Sequence, residues 1–282
     1  MRLVEELKQE RDTHVDHSLY WWTQVMFAYN SSQIEGSLLN LWQTEQLYET
    51  GSVFADPDKP VRQDDLVETT NHFHAFNWVL DHVDEPVSGA MACKLHAMLK
   101  WGTGFARQHP DEAGHYKRHA NVIMGGLATN PARTALPSEV PYLMEDVYDE
   151  LNTLIDDPVR IAGAHWMFER VHPFLDGNGR VGRLLLFKQC LHLDIMPPLI
   201  QDGEGDIYYR ALSQFPNDHG YLADCILHAR DTYQSILDQL HPTGLNISYN
   251  DGEDAEETDT SRYTAFENQI DSSRKRYESP SR

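Results

Sequence analysis

The sequence predicts a mostly α-helical protein, a bundle of helices with one short β-hairpin. Apolar residues recur at spacings of three and four over most of the chain as far as residue 240, whereas the alternation typical of β-strands is rare. Of the 282 residues, 40% are hydrophobic, including six Trp and ten Phe, so the chain can bury a substantial core. Gly and Pro cluster at residues 114–137, and this interval predicts the hairpin.

The predicted helices follow one another along the chain. The first apolar stripe extends from Leu19 to Tyr29, and the second includes Phe73, Phe76 and Leu80. Each stripe covers one face of a helix, which is the pattern of a helix packed against a core. Five more helical patterns follow at 90–99, 142–155, 159–168, 181–193 and 221–240.

Two segments depart from the helical pattern. The β-leaning run from Asn121 to Met124 lies among the glycines and prolines of residues 114–137, so a hairpin or extended loop is expected there. Residues 246–282 are rich in Asp, Glu, Ser and Thr and have few apolar side chains. Because such a segment buries too little apolar surface to offset its conformational entropy, we expect an acidic, disordered tail.

Net charge and cysteine content exclude several classes of protein. The formal charge of −21 repels phosphate backbones, so we expect no nucleic acid partner. Apolar runs stop well short of the roughly 20 residues of a membrane span, and the N-terminus lacks the apolar core of a signal peptide. Three well-separated cysteines, Cys93, Cys190 and Cys225, suit free thiols in a reducing compartment. We therefore expect a cytoplasmic protein that does not enter a membrane.

The chemistry is concentrated in residues 172–183, with the sequence HPFLDGNGRVGR. The helix before this segment should end near Val171, because a residue that precedes proline is pushed out of the helical region, and the next helix should begin near Gly179. Two glycines in a turn that leads into a helix allow several backbone N–H groups to converge at the positive end of the helix dipole. Arg180 and Arg183, on one helical face, can each donate hydrogen bonds to phosphate oxygens. The segment therefore predicts a phosphate site.

Two further side chains of this segment suit metal binding and proton transfer. Asp176 offers a hard carboxylate oxygen, and Mg²⁺ takes one or two carboxylates while water and nucleotide oxygens complete its octahedron. His172 is the nearby side chain whose pKa allows it to accept a proton close to neutrality. A phosphate cradle, a metal carboxylate and a base together indicate transfer of a phosphorus-centred group to a hydroxyl.

Residues 172–183 match in full the signature HxFx(D/E)GNGRxxR, and on that ground the chain is identified as a member of the Fic domain family. Two flanking segments extend the resemblance. Residues 114–126, GHYKRHANVIMGG, are similar to the family's flap, a hairpin that aligns the target, although Lys117 replaces the more usual Arg. Residues 207–212, IYYRAL, resemble the family segment whose tyrosine lies near adenine. The resemblance implies a Fic/Doc-type helical bundle.

The resemblance also implies a role for each matching residue. His172 would deprotonate the hydroxyl of the target, and Asp176 would hold Mg²⁺. The other implied contacts to ATP are the phosphate cradle of Gly177, Asn178 and Gly179, the arginines Arg180 and Arg183, and an adenine contact by Tyr208 or Tyr209. In the flap, Ile123 and Met124 would position the target segment. The implied reaction transfers AMP from ATP to a Ser, Thr or Tyr of an unidentified protein, and pyrophosphate leaves.

A second motif predicts built-in inhibition. Residues 31–36, SSQIEG, match the family's inhibitory pattern (S/T)xxxE(G/N) at Ser31, Glu35 and Gly36. A carboxylate delivered to Arg183 would satisfy that guanidinium and place negative charge where the γ-phosphate must lie. The resemblance thus divides the chain into a helical region at 1–100 with the inhibitory helix near 31–37, a Fic catalytic core at 101–245 with its flap near 114–137, and the tail at 246–282.

Three alternatives use the same residues. Glu35 could instead position the water that strips AMP from a modified protein, which would make the chain a de-AMPylating hydrolase. A kinase related to Doc would transfer the γ-phosphoryl group, although the intact glycines and arginines favour adenylylation. A catalytically quiet ATP sensor would work by binding partners, although such a protein has no need of the base His172. Self-modification and assembly into a homo-oligomer are further expectations of the resemblance.

Overall fold

Helices make up nearly all the regular structure of the protein, as the sequence predicts. The computed structural model describes residues 1–54, 60–123, 132–240, 244–251 and 258–278. The described helices are, in chain order, α1 (Leu3–Thr13), α2 (Leu19–Ile34), α3 (Leu41–Thr50), α4 (Gln63–Asp81), α5 (Gly89–Lys100), α6 (Gly104–Gln108), α7 (Val140–Asn152), α8 (Pro158–Val171), α9 (Asn178–His192), α10 (Gly205–Gln214), α11 (His219–Leu240) and α12 (Ser261–Glu278). A short 3-10 turn, Asp202–Glu204, precedes α10.

Helix α9 lies at the centre of the fold. Its residues from Asn178 to Leu191 are all buried, including the charged Lys188. Helices α2, α4, α5, α7 and α8 pack around it, and α8 also packs against α7, α11 and α12. In the core, Phe187 of α9 stacks on Phe27 of α2 with ring centroids 4.8 Å apart. Because α9 carries the second half of the signature motif, the predicted phosphate site is built on the most enclosed element of the protein.

Side-chain caps fix the starts of three helices that carry or support the site. Ser18 caps α2, Ser88 caps α5 and Asp157 caps α8, and each accepts a hydrogen bond from the backbone N–H three residues further along. Such a cap satisfies one of the backbone donors that the first turn of a helix leaves unpaired. The caps therefore define where α2, α5 and α8 begin, and so which of their residues reach the site.

In the interval where a hairpin is predicted, the structure describes a pair of two-residue strands. β1 (Val122–Ile123) and β2 (Ala132–Arg133) run antiparallel, with Val122 opposite Arg133 and Ile123 opposite Ala132. The connecting residues 124–131, which include Met124, lie outside the described residues, and so does the side chain of Ile123. That this strand pair aligns a target segment therefore stays a prediction.

The predicted disorder of the C-terminal tail is wrong for residues 261–273. Helix α12 packs against α8, and Tyr263, Phe266 and Ile270 of α12 are buried. Their spacing of three and four residues places them on one helical face. The Tyr263 hydroxyl donates a hydrogen bond to Glu150 at 3.0 Å. The tail is acidic on average, but three apolar residues on one face of α12 are sufficient to pack this helix against α8.

The predicted division at residue 100 does not separate two hydrophobic cores. Helix α5 ends at Lys100 and packs against α4, α7 and α9, and one apolar cluster extends from Leu3 to Ile270. The predicted inhibitory motif is therefore carried on the same body as the signature loop. Among the described residues, no helix combines the length and hydropathy needed to cross a membrane.

Candidate active site

The signature segment forms a tight loop between α8 and α9. Helix α8 ends at Val171 and α9 begins at Asn178, close to the predicted positions. Both flanking residues adopt the left-handed region, His172 with φ 53° and Gly177 with φ 81°. This conformation favours glycine, and Gly177 has a second reason to lack a side chain, since a Cβ there would lie 2.9 Å from Cε of Lys100.

Asn178 closes the loop from the inside. Its Oδ1 accepts a hydrogen bond from the backbone N–H of Phe174 at 2.7 Å, and its Nδ2 donates to the Phe174 carbonyl at 2.9 Å. The side chain is buried. Asn178 therefore shapes the loop, and the atoms best placed to form the predicted phosphate cradle are backbone N–H groups at the start of α9.

His96 of α5 supports the same loop through its side chain. Its Nδ1 accepts a hydrogen bond from the backbone N–H of Gly114 at 2.9 Å, so the proton of the neutral ring is on Nε2, which lies 2.9 Å from the Asp176 carbonyl oxygen. Burial lowers the pKa of His96 to about 3, which keeps the ring neutral. The ring also stacks on Phe174 with centroids 4.1 Å apart. The sequence motif does not reveal His96, because it comes from a separate helix.

His172 is placed as a neutral base. Its side chain is 18% exposed, and burial, reinforced by the nearby Lys117 ammonium, lowers its pKa to about 4. The imidazole can therefore accept a proton at neutral pH. Its Nδ1 lies 3.9 Å from Oε2 of Glu169, a carboxyl of α8 that is itself buried. Burial raises the pKa of Glu169 to about 8.

Lys117 ties the strand pair to the signature loop. Its ammonium donates hydrogen bonds to Asn121 at 2.7 Å, to the Thr134 hydroxyl at 2.9 Å and to the Val171 carbonyl at 3.0 Å. Its backbone N–H donates to the Pro173 carbonyl at 2.8 Å. The lysine that departs from the family pattern is thus a buried connection between residues next to the two strands and the end of α8.

Four charged side chains form a chain of ion pairs beneath the loop. The Lys100 ammonium contacts the Asp176 carboxylate and lies 2.6 Å from Oε1 of Glu68, whose other oxygen pairs with Arg180. Burial opposes ionisation of Asp176, but Lys100 and Arg180 outweigh it and lower the pKa of Asp176 to about 2. Glu68 and Lys100 are functional candidates that the motif misses. One signal was available, since His96 is a polar residue in the predicted apolar helix at 90–99 and Lys100, four residues later, directly follows that helix.

Asp176 can bind a metal ion whose other ligands come from a bound nucleotide and from water. Among the described residues, no group of three His, Cys, Asp or Glu side chains could hold a metal ion. Asp176 is ionised at neutral pH, and its side chain is 49% exposed. A single open carboxylate suits Mg²⁺, provided that phosphate oxygens and water complete the coordination.

Glu35 meets Arg183, as the inhibitory motif predicts. Oε1 of Glu35 lies 2.8 Å from Nη2 of Arg183, and the guanidinium also donates to the Ser31 hydroxyl at 3.0 Å and to the Ser31 carbonyl at 2.9 Å. Arg183 is 4% exposed and Glu35 is 24% exposed. The Glu35 carboxylate lies against the start of α9, so close that a Cβ on Gly179 would overlap it.

Gly36 has a structural reason to be part of this motif. Helix α2 ends at Ile34, before the predicted limit of 37, and Glu35 is its C-terminal cap. Gly36 follows with φ 83°; its N–H donates to the Gln33 carbonyl, and the next N–H donates to the Ser32 carbonyl. This is the Schellman arrangement, which needs a left-handed residue after the cap. It directs the Glu35 side chain out of the helix toward α9.

The two tyrosines of the predicted adenine segment have different surroundings. Tyr208 is 1% exposed, and its hydroxyl lies 2.6 Å from Nε2 of His165 in the core. Tyr209 is partly buried, and its hydroxyl donates to the Ile34 carbonyl at 3.2 Å. Tyr209 thus contacts the end of α2, whereas Tyr208 is a packing residue behind it.

The Fic/DOC family model matches residues 86–190, a range that contains the complete signature loop. The chain contains a Fic/DOC family domain at these residues. The match begins before the predicted core boundary at residue 101 and includes α5, whose His96 and Lys100 contact Asp176 of the loop.

Curated relatives named Fic protein adenylyltransferases match most of this chain. The protein adenylyltransferase fic-1 of Caenorhabditis elegans is 29% identical over 226 residues, which are 75% of this chain and 41% of that protein. The protein adenylyltransferase Fic of Culex quinquefasciatus is 25% identical over 232 residues, which are 78% of this chain and 44% of that protein. The chain therefore spans less than half the length of these relatives.

Solved structures with Fic domains have the same fold. A Fic domain containing signaling protein from Bacteroides thetaiotaomicron superposes with a TM-score of 0.60 at 21% identity and covers 84% of this chain and 92% of its own. Fic-1 from C. elegans superposes with a TM-score of 0.60 at 23% identity and covers 86% of this chain and 72% of its own. The Fic fold predicted from the signature is therefore confirmed.

Proposed function

We propose that this Fic domain protein is a protein adenylyltransferase that transfers AMP from ATP to a Ser, Thr or Tyr hydroxyl, and that Glu35 inhibits it. The names of the curated relatives support the activity. The observation that carries the proposal is the Glu35–Arg183 ion pair at 2.8 Å, formed over the start of α9 beside an intact signature loop.

The proposed reaction assigns one step to each part of the loop. His172 accepts the proton of the target hydroxyl as the hydroxyl oxygen bonds to the α-phosphorus of ATP, and the bond to pyrophosphate breaks. The backbone N–H groups of Gly177 and Gly179, together with Arg180 and Arg183, bind the phosphates. Asp176 would hold Mg²⁺, which would supply positive charge to the phosphates.

The inhibitory contact is strong enough for its proposed role. Holding the closed form in about 100:1 excess takes about 2.7 kcal/mol. A hydrogen bond to a charged group contributes about 1.5–3 kcal/mol, and Arg183 donates three such bonds to Ser31 and Glu35. Release of Glu35 frees the guanidinium for the γ-phosphate.

Several parts of the proposal concern partners and location. The target is a protein whose segment is aligned by Ile123 and Met124 of the flap, and the chain itself is the first candidate target. Tyr209 is the better placed of the two tyrosines for the adenine, since Tyr208 is enclosed in the core. A cytoplasmic location agrees with the free thiols of the three cysteines, and the charge of −21 disfavours nucleic acid. Homo-oligomerisation is part of the proposal.

Label transfer from ATP tests the proposal. Wild type, Glu35→Gly and Glu35→Gly/His172→Asn are incubated separately with α-labelled and γ-labelled ATP and Mg²⁺, and label on protein is measured. Asn replaces His172 because it tolerates the left-handed backbone and is not a base. Glu35→Gln and the exposed Glu49→Gln form a matched pair that removes one charge at the contact or away from it.

We expect α label alone, strong with Glu35→Gly, weak with wild type and absent with the double variant. Glu35→Gln should also activate, and Glu49→Gln should not. Transfer of γ label would instead establish a kinase. If no variant transfers label but wild type removes AMP from a modified protein, the chain is a hydrolase. Nucleotide binding without either activity would indicate a sensor.

A further inference from the structure

A buried lysine already occupies the carboxylate that is proposed to bind the metal ion. The Lys100 ammonium pairs with Asp176 on one side and with Glu68 on the other. We propose that Lys100 keeps divalent cations off Asp176 until nucleotide is bound, so that the metal enters the site only together with ATP. This inference rests on the proposed function in one respect, namely that Asp176 is the metal ligand.

Lys100 is fixed in this position by its surroundings. Its side chain is fully buried, and its ammonium lies 5.1 Å from the centroid of the Phe105 ring. Gly177 covers its stem so closely that a Cβ there would lie 2.9 Å from Cε. A lysine held in this way cannot move its charge into solvent, so the ammonium is a permanent component of the loop.

The charges around Asp176 cancel one another in the absence of nucleotide. Asp176 and Glu68 are negative, Lys100 and Arg180 are positive, and the four form one continuous chain of contacts. A divalent cation that approaches the exposed side of Asp176 therefore meets a carboxylate already neutralised by an ammonium a few ångströms away, and the repulsion between the two cations opposes binding.

Bound nucleotide changes this balance. The triphosphate adds several negative charges next to the loop and supplies further oxygen ligands, which Mg²⁺ requires when the protein offers one carboxylate. Metal affinity and nucleotide affinity are then coupled, and the coupling is reciprocal by thermodynamic linkage. Lys100 is therefore a positioning residue that sets the size of this coupling rather than a group that contacts the substrate.

Titration with Mn²⁺, followed by electron paramagnetic resonance, tests the inference. All variants carry Glu35→Gly so that inhibition does not limit nucleotide binding, and Mn²⁺ affinity is measured with and without a non-hydrolysable ATP analogue. Without nucleotide, Lys100→Met should bind Mn²⁺ at least about tenfold more tightly than the parent, because it has lost the repelling charge. Lys94→Met, an exposed lysine of the same helix, should match the parent. Lys100→Arg should keep Mn²⁺ affinity low.

Two double variants locate the metal. Adding Asp176→Asn to Lys100→Met should abolish the gain, whereas adding Glu68→Gln should preserve it. Unchanged Mn²⁺ affinity in Lys100→Met, or a gain that survives Asp176→Asn, would overturn the inference. Should Lys100→Met fail to fold, Lys100→Gln removes the same charge. The measurement needs no AMP transfer, so the adenylyltransferase proposal and this inference fail independently.

Discussion

Ser31 holds Arg183 through two different atoms, and only one of them belongs to its side chain. The hydroxyl accepts from Nε of Arg183, and the backbone carbonyl accepts from Nη2. A substitution at Ser31 therefore removes one contact and leaves the carbonyl contact and the Glu35 ion pair in place. The proposed inhibitory contact can accordingly be weakened in steps.

Ser31→Ala should activate the protein partially. Loss of one hydrogen bond to a charged group lowers the stability of the closed form by about 1.5–3 kcal/mol, which is less than loss of Glu35 together with its charge. We expect α-label incorporation above wild type and below Glu35→Gly. Ser32→Ala is the control, because that buried hydroxyl has no hydrogen-bond partner in the described part of the chain. Equal effects of the two alanine variants would contradict the assignment.

Glu169→Gln should change how stability depends on pH. Burial raises the pKa of Glu169 in the folded protein to about 8, above its unfolded value of about 4.5. The stabilising contribution of this carboxyl to the free energy of unfolding is therefore fully present below pH 4.5 and is lost as pH rises toward 8. Relative to Glu169→Gln, wild type should lose about 3–5 kcal/mol of unfolding free energy between pH 5 and 8. Denaturant titrations of both proteins check this, and parallel pH profiles would refute it.

The contact that the sequence predicts and the structure shows joins two residues that each lie in a recognisable motif. Glu35 and Arg183 each belong to a recognisable pattern, and the structure places them in contact. His96, Glu68 and Lys100 act across helices. A linear pattern does not encode which helix end lies beneath which loop, so these residues became visible only once the packing was known.

At the scale of elements, α12 docks on α8 at a position without a side chain. A Cβ on Gly163 would overlap the ring of Tyr263, so these two residues fit together only because Gly163 is a glycine. The prediction of a disordered tail averaged composition over residues 246–282, and an average hides three well-spaced apolar anchors. The helices α2 and α9 were predicted correctly because their apolar residues recur over most of their length, so the pattern is visible in any short window.

Gly163→Ala should undock α12. The added methyl group displaces the Tyr263 ring, and the buried face of the helix loses its partner. Amide hydrogen exchange at residues 261–273 should become at least about tenfold faster, while α9 keeps its protection. Gly203→Ala is the control, since a Cβ there meets no atom within 4 Å. Unchanged exchange in Gly163→Ala would show that α12 is anchored elsewhere.

At the scale of the whole molecule, buried histidines make the fold sensitive to acid. Burial lowers the pKa of His72, His96 and His165 to about 3 and that of His172 to about 4. Each is neutral when folded and takes up a proton below pH 6.5 when unfolded. Their stabilising effect is thus present above pH 6.5 and is lost as pH falls. At pH 5 the four histidines each take up a proton on unfolding, whereas Glu169 releases most of one. Unfolding at pH 5 should therefore take up about three protons in total.

His72→Phe should make the protein more resistant to acid. Both ring nitrogens of His72 lack hydrogen-bond partners among the described residues, and the ring packs edge-on against Phe27 with centroids 5.0 Å apart. Phenylalanine fills a similar space without a titratable group. The slope of unfolding free energy against pH near pH 5 should fall by about 1.4 kcal/mol per unit, as one proton is removed from the balance. The exposed His74→Gln should leave the slope unchanged.

The order of the inhibitory pair along the chain has a consequence for synthesis. Glu35 precedes Arg183 by 148 residues, and ribosomes build chains from the N-terminus. Helix α2 has therefore left the ribosome long before α9 and the signature loop are complete. A nascent molecule acquires its inhibitor before it acquires the site to be inhibited, so under the proposed function no newly made copy passes through an uncontrolled stage. Under the same proposal, activation rather than inhibition is the event that requires a signal after synthesis.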